Sequence, residues 1–349
     1  MVDTRAAMAG IEAMPFGVAV TPGGHWAFVA AAASIEVLRV GAALAPVPVR
    51  TIPVAPASPL GETITSDGRY LLAADGTGAV VISVARAEQG TAGAVLGTLQ
   101  APASAAGAGG AIEVAVSPDG AYAFVTLEDA HRAVVFNLAK ALAHGFGPAD
   151  YVGSIPLELA PVGIAVSPDG RWLYATSEGG GDGADTGTLT VADLARAETD
   201  PATSVVATVD AGCEPVRVIT SADGTQVWVT ARASDDLLCF AAARLTSDPA
   251  RALVAIVRVG EAPVGLAAAR GGSLIVVADS NRFDVTGQSA NLDVVNVAAA
   301  LAGRPAVIGH IRSGLFPRDM AADPDGTVLV SNYGSGELEA VDVASIPAG

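Results

Sequence analysis

The 349-residue sequence predicts an all-β fold, a seven-bladed β-propeller with four antiparallel strands per blade, on three observations. A Pro-Asp-Gly type of turn recurs seven times, each copy lies between short β-rich segments, and a spare N-terminal segment matches a strand missing from the last repeat. The turns read Thr21-Pro22-Gly23-Gly24, Thr65-Ser66-Asp67-Gly68, Ser117-Pro118-Asp119-Gly120 and Ser167-Pro168-Asp169-Gly170. They continue as Ser221-Ala222-Asp223-Gly224, Ala269-Arg270-Gly271-Gly272 and Asp323-Pro324-Asp325-Gly326. Their final glycines lie 44 to 54 residues apart. Ser-Pro-Asp-Gly suits a type I turn, since Pro presets φ at the second position, Asp bonds locally and Gly follows.

The fourth copy shows the unit most clearly. Gly163–Ser167 precedes its turn, Trp172–Thr176 follows, and Thr188–Asp193 and Val205–Val209 complete four strands. Four strands per roughly 50 residues, repeated seven times, is propeller arithmetic. The last copy holds Asp319–Asp323, Val328–Asn332 and Glu337–Val343, and the chain then runs out. Thr4–Ile11 is expected to supply the missing outer strand, so that residues 1–349 close into one ring with no open edge at the seam.

Pro161–Ser177, reading Pro-x-Gly-Ile-Ala-Val-Ser-Pro-Asp-Gly-x-x-x-Tyr-Ala-Thr-Ser, resembles the YVTN-type propeller repeat, and Pro263–Asp279 and Pro317–Asn332 are looser copies. That repeat occurs in surface-layer proteins, YncE-like periplasmic proteins and lactonase-like propellers. The resemblance implies the fold, and it offers a lactonase-like hydrolase or lyase, or a structural envelope repeat, as functions. It also implies a periplasmic or secreted setting, although Met1–Gly10 lacks the basic and apolar regions of a signal peptide.

Composition excludes several classes. The formal charge is −17, from 36 acidic and 19 basic residues, with no basic cluster, so nucleic acid and anionic membranes are not expected partners. No apolar run reaches the ~18 residues of a membrane span. Lys140 is the only lysine, and it falls on a bland loop with His144 on the turn face, as does His25, so Schiff-base chemistry has no good candidate. No Gly-x-Ser-x-Gly elbow occurs. Cys213 and Cys239, the only cysteines, are expected to be small buried residues with one strand between them, roughly 10 Å apart and too far for a disulfide.

The face opposite the Pro-Asp-Gly turns is where the copies differ. At one register position of the inner strand four copies carry Gly17, Gly61, Gly163 and Gly265, and three carry Glu113, Arg217 and Asp319. At the end of the second strand the corresponding ring is Asp75, Glu128, Glu178, Arg232, Asp279 and Tyr333, and Arg318 adjoins Asp319. A polar pocket at the channel mouth is therefore expected, with Arg217, Arg232 and Arg318 taking the carboxylate or phosphate of a small anionic molecule, peptide or protein. Asp319, Glu178, Asp279 and Tyr333 would complete it. Should the protein be an enzyme, Glu113 or His131 would activate water and Arg217 or Arg232 would stabilise the oxyanion. His131 and His310 are the histidines expected to reach this face, and His131 is expected near Glu113, Glu128 and Asp129.

Two long loops, Glu178–Gly187 and Asp279–Asn291, flank that face. The first carries Asp182 and Asp185, a weak calcium pair without EF-hand spacing, and no cofactor is otherwise expected.

Overall fold

The computed structural model describes residues 6–11, 14–41, 45–107, 109–183, 185–282, 290–324, 326–343 and 346. Seven sheets, each of four antiparallel strands, follow one another around a ring. Blade 4 consists of Pro161–Val166, Trp172–Ser177, Thr186–Asp193 and Val205–Cys213, counted from the inner to the outer strand. Its third and fourth strands run longer than their apolar cores suggest, because Thr186 pairs with Cys213 and draws both ends into the sheet. The Gly-rich loop expected there is consequently shorter.

The last sheet is closed by the N-terminus. Ala6–Gly10 pairs antiparallel with Glu337–Asp342, from Ala6 opposite Val341 to Gly10 opposite Glu337. The expected closing segment is thus in place from Ala6, and Thr4 and Arg5 lie outside the described residues. Three strands from one end of the chain and one from the other make a seam that cannot open without breaking a ladder.

Four of the recurring turns, those at Asp67, Asp119, Asp169 and Asp223, share one chemistry. In Ser117–Gly120 the Ser117 hydroxyl bonds Asp119 at 2.6 Å, Asp119 accepts the Ala121 N–H at 3.0 Å, and Ser117 accepts the Tyr122 N–H at 2.9 Å. Gly120 adopts φ 72°, the left-handed region that a side chain disfavours. These bonds to the ionised form hold Asp119 below the usual carboxylate range. In blades 2 to 6 the third-to-fourth connections hold short helices such as Leu138–His144, where the Asn137 side chain caps the Lys140 N–H at 2.8 Å.

The blades pack through a register of fully buried residues on the second strands, Phe28, Phe124, Tyr174 and Trp228, in a core otherwise dominated by Val, Ala, Leu and Ile. A hydroxyl stitches neighbouring inner strands together. Thr176 accepts the Gly163 N–H at 2.9 Å and donates to the Val216 carbonyl of the next blade at 2.7 Å. Thr126, Thr230 and Ser331 donate in the same way to Val162, Val264 and Phe16. The Thr of the Tyr-Ala-Thr-Ser motif is therefore a blade-to-blade fastener.

Candidate functional site

The inner-strand register singled out in the sequence lies around the axis. At Gly163 a Cβ would collide with the Val216 carbonyl and the Thr176 hydroxyl, so glycine here lets the next blade approach. In three blades this position carries a charge instead, and those side chains meet. Arg217 Nη2 stands 3.1 Å from Glu113 Oε2, and Arg217 Nε stands 3.6 Å from Asp319 Oδ1. Asp319 Oδ2 also accepts the Val18 N–H at 3.1 Å, which ties blade 7 to blade 1 beside the seam. One arginine thus spans blades 3, 5 and 7. Breaking such a buried pair by removing one partner costs about 3–5 kcal/mol, although the intact pair contributes much less.

Glu62 joins this cluster, and the sequence reading missed it. It sits one residue beyond Gly61, where the other six blades carry Val18, Val114, Ile164, Val218, Leu266 and Met320. A lone carboxylate at an otherwise apolar register was the signal available. Glu62 is 7% exposed, and neither of its carboxylate oxygens has a hydrogen-bond partner. Burial, then Asp319 and Glu113, push its carboxyl well above the ordinary value. Burial raises Glu113 to about 7, against the lowering pull of Arg217.

A cavity of about 410 Å³ rests on this cluster, lined by Glu62, Glu113, Arg217 and Asp319. It runs past Val114, Val218 and Leu266 to Pro118 and Pro168, so it reaches the Pro-Asp-Gly turns. The expectation of a pocket containing Arg217 on the opposite face is therefore corrected. Side chains two residues into the strand point into the channel, and the space beside them lies on the turn side.

The opposite mouth holds a separate group. Arg232 is engaged by Glu178 Oε1 at 3.0 Å and by Glu214 Oε2 at 2.6 Å. Arg318 lies over the Phe16 ring at 3.6 Å, with Phe316 and Tyr333 at 5.4 and 5.5 Å. Among the described residues Arg318 has no carboxylate within ion-pair distance, and its buried Nε lacks a hydrogen-bond acceptor. Arg282 faces the same Phe316 ring at 5.5 Å. Burial and the Arg217 and Arg282 charges make Arg318 easier to deprotonate than an ordinary arginine.

Other expected members stand elsewhere. Asp279 is 3% exposed, packed over Gly260 between blades 5 and 6 and not at the mouth. It ends its strand opposite Pro263 on a face turned towards the neighbouring blade. His131 occupies a left-handed turn residue, and its Nδ1 accepts the Ala160 N–H at 3.2 Å. That pins the loop into blade 4, and no contact among the described residues joins His131 to Glu113. Asp75 bonds the Ser58 N–H at 2.7 Å, and Glu128 is half-buried beside Glu178.

Asp182 and Asp185 are both exposed. Among the described residues no group of three His, Cys, Asp or Glu is arranged for a metal ion. Asp284, in the second long loop, lies outside the described residues. Both cysteines are free, but Cys213 is half-buried at the end of blade 4's outer strand, contrary to the expected burial, whereas Cys239 is buried.

No protein-family model matches the chain, and no curated protein matches it in sequence. A solved structure of Kuenenia stuttgartiensis hydrazine synthase is similar in fold, with a TM-score of 0.73 over 97% of this chain and 98% of that one. The identity is 15%, so the likeness is one of fold.

Proposed function

We propose that this propeller is a ligand-binding module that takes a small anionic group, carboxylate or phosphate, at the mouth opposite the Pro-Asp-Gly turns. The observation that carries this reading is Arg318, an arginine walled by Phe16, Phe316 and Tyr333 and without a carboxylate partner among the described residues. Arg217 and Arg232, by contrast, already have their carboxylates. A guanidinium held flat against a ring keeps its outer N–H edge aimed at an incoming anion, and little side-chain freedom is left to lose on binding. The aromatic wall favours an anion with a flat apolar body. Calorimetric titration with benzoate and inorganic phosphate is expected to show saturable binding that weakens at least tenfold in Arg318→Gln. Equal affinity in that variant would refute the site.

The lactonase-like alternative has one observation of its own. Glu113, held at about 7 beside Arg217, is a carboxyl poised for proton transfer near neutrality at the edge of a cavity. On that reading the protein turns over a simple γ-lactone, and Glu113→Gln abolishes turnover while the fold stays intact by circular dichroism. A lactone panel with no turnover would remove the alternative.

A further inference from the structure

We infer that the turn-face end of the channel is a second binding site, one for a small organic cation: an ammonium or guanidinium group on a short apolar chain. The cavity of about 410 Å³ is of ligand size. Its floor is acidic and its walls are not. The side chains of Glu113 and Asp319 keep 10% and 14% of their surface open, with Arg217 wedged between them. Above the floor stand Val18, Val114, Ile164, Val218, Leu266 and Met320, the apolar members of the register that Glu62 interrupts.

Glu62 tells what is missing. Its carboxylate is buried without a donor at either oxygen, in a position six blades fill with an apolar side chain. An unpaired buried carboxylate is costly unless positive charge comes close. The cluster itself supplies too little, since three carboxylates (Glu62, Glu113 and Asp319) gather where one guanidinium, Arg217, pairs with two of them, Glu113 and Asp319. Arg318 acts on Glu113 only as a minor, more distant influence. A monovalent cation resting on the open edges of Glu113 and Asp319, backed by Glu62, brings the group towards balance. The carboxylates do not converge as metal ligands do, since no such group of three occurs among the described residues. Hydrogen-bond donors spread over an ammonium or a planar guanidinium suit two separated carboxylate edges.

The cation competes with protons. Burial, then the charges of Asp319 and Glu113, push Glu62 well above the ordinary value, and burial with Asp319 raises Glu113 to about 7 against the pull of Arg217. A bound cation favours their ionised forms, so binding expels protons, and by linkage affinity rises as pH rises through about 7.

Calorimetry with n-butylammonium and n-butylguanidinium, in buffers of different ionisation enthalpy, tests this directly. Saturable binding with proton release is expected at pH 8, about tenfold weaker at pH 6 and lost in Glu62→Val. That variant restores the residue type of the other blades, so it is expected to fold at least as stably as the parent. Glu62→Gln, which keeps the shape, is expected to weaken binding as well. The proposal is overturned by no saturable binding, by equal affinity in Glu62→Val, by binding without proton release, or by n-butanol binding equally well. Because the probes are of opposite charge, failure here leaves the benzoate result at Arg318 standing, and the converse holds.

Discussion

Blades 6 and 7 place a polar pair at the same point of the repeat, and they resolve its burial in different ways. In blade 7, Asn332 ends the second strand opposite Pro317, and Glu339 lies on the third strand opposite Val330. In blade 6, Asp279 ends the second strand opposite Pro263, and Asp293 lies opposite Val277. Both second-strand residues rest on a glycine, Gly314 or Gly260, whose missing Cβ makes room for them. Asn332 donates to Glu339 Oε2 at 3.0 Å, and the Ser313 hydroxyl reaches the same oxygen at 2.6 Å. Asp279 has no donor at either oxygen among the described residues, and the group it can bond is a second carboxylate, Asp293, whose other contact is the exposed His310 ring. An amide can donate to a buried carboxylate at any pH. A second carboxyl can do so only while it keeps its proton.

The comparison is broken most severely by making blade 7 like blade 6. Asn332→Asp removes the 3.0 Å donor from Glu339 and puts a second acid against a fully buried one. A loss of about 2–4 kcal/mol is expected at pH 8, the range for an unsatisfied buried group or a broken buried charge pair. At pH 5 the new acid is protonated and donates to Glu339, so the loss should be smaller. Urea unfolding of the variant and parent at both pH values measures it. A loss independent of pH would mean that packing and not charge distinguishes the two blades.

How much of this was legible beforehand varies with the residue. The ring and its closure were readable because seven turns ending in glycine repeat at near-even spacing and the leftover segment fits the vacancy in the last blade. The meeting of Glu113, Arg217 and Asp319 was readable too, since aligning the repeats puts them at one height on the axis. Glu62 was overlooked because only that one height was compared, and its departure shows one residue further along. Asp279 was misplaced for a different reason. A strand-end side chain can turn to the mouth or to the neighbouring blade, and the choice depends on the glycine beneath it, Gly260, which lies in another blade's connection. The end of the channel that holds the cavity depends on how the loops pack over the mouth, which no single repeat encodes.

The converse swap, Asp279→Asn, is expected to act in the opposite direction, with a characteristic pH profile. Burial and the neighbouring Asp293 charge push Asp279 up to about 10. In an unfolded chain an aspartate titrates near ~3.9. Between these values the folded state binds a proton that the unfolded state has released, so the contribution of Asp279 to stability is full below ~3.9 and declines as pH rises towards about 10. The introduced amide would give Asp293 a donor that does not titrate, as Asn332 does for Glu339. The variant should match the parent near pH 4 and exceed it by a margin that grows as pH rises to 8, because only the parent must take up a proton on folding. The other charges facing the pair, Asp235 across the blade interface and His310 on the outer strand, are unchanged by the substitution and cancel in the difference. Parallel stability curves for variant and parent from pH 4 to 9 would show that Asp279 is already ionised in the folded protein, and the contrast between the two blades would then be one of geometry alone.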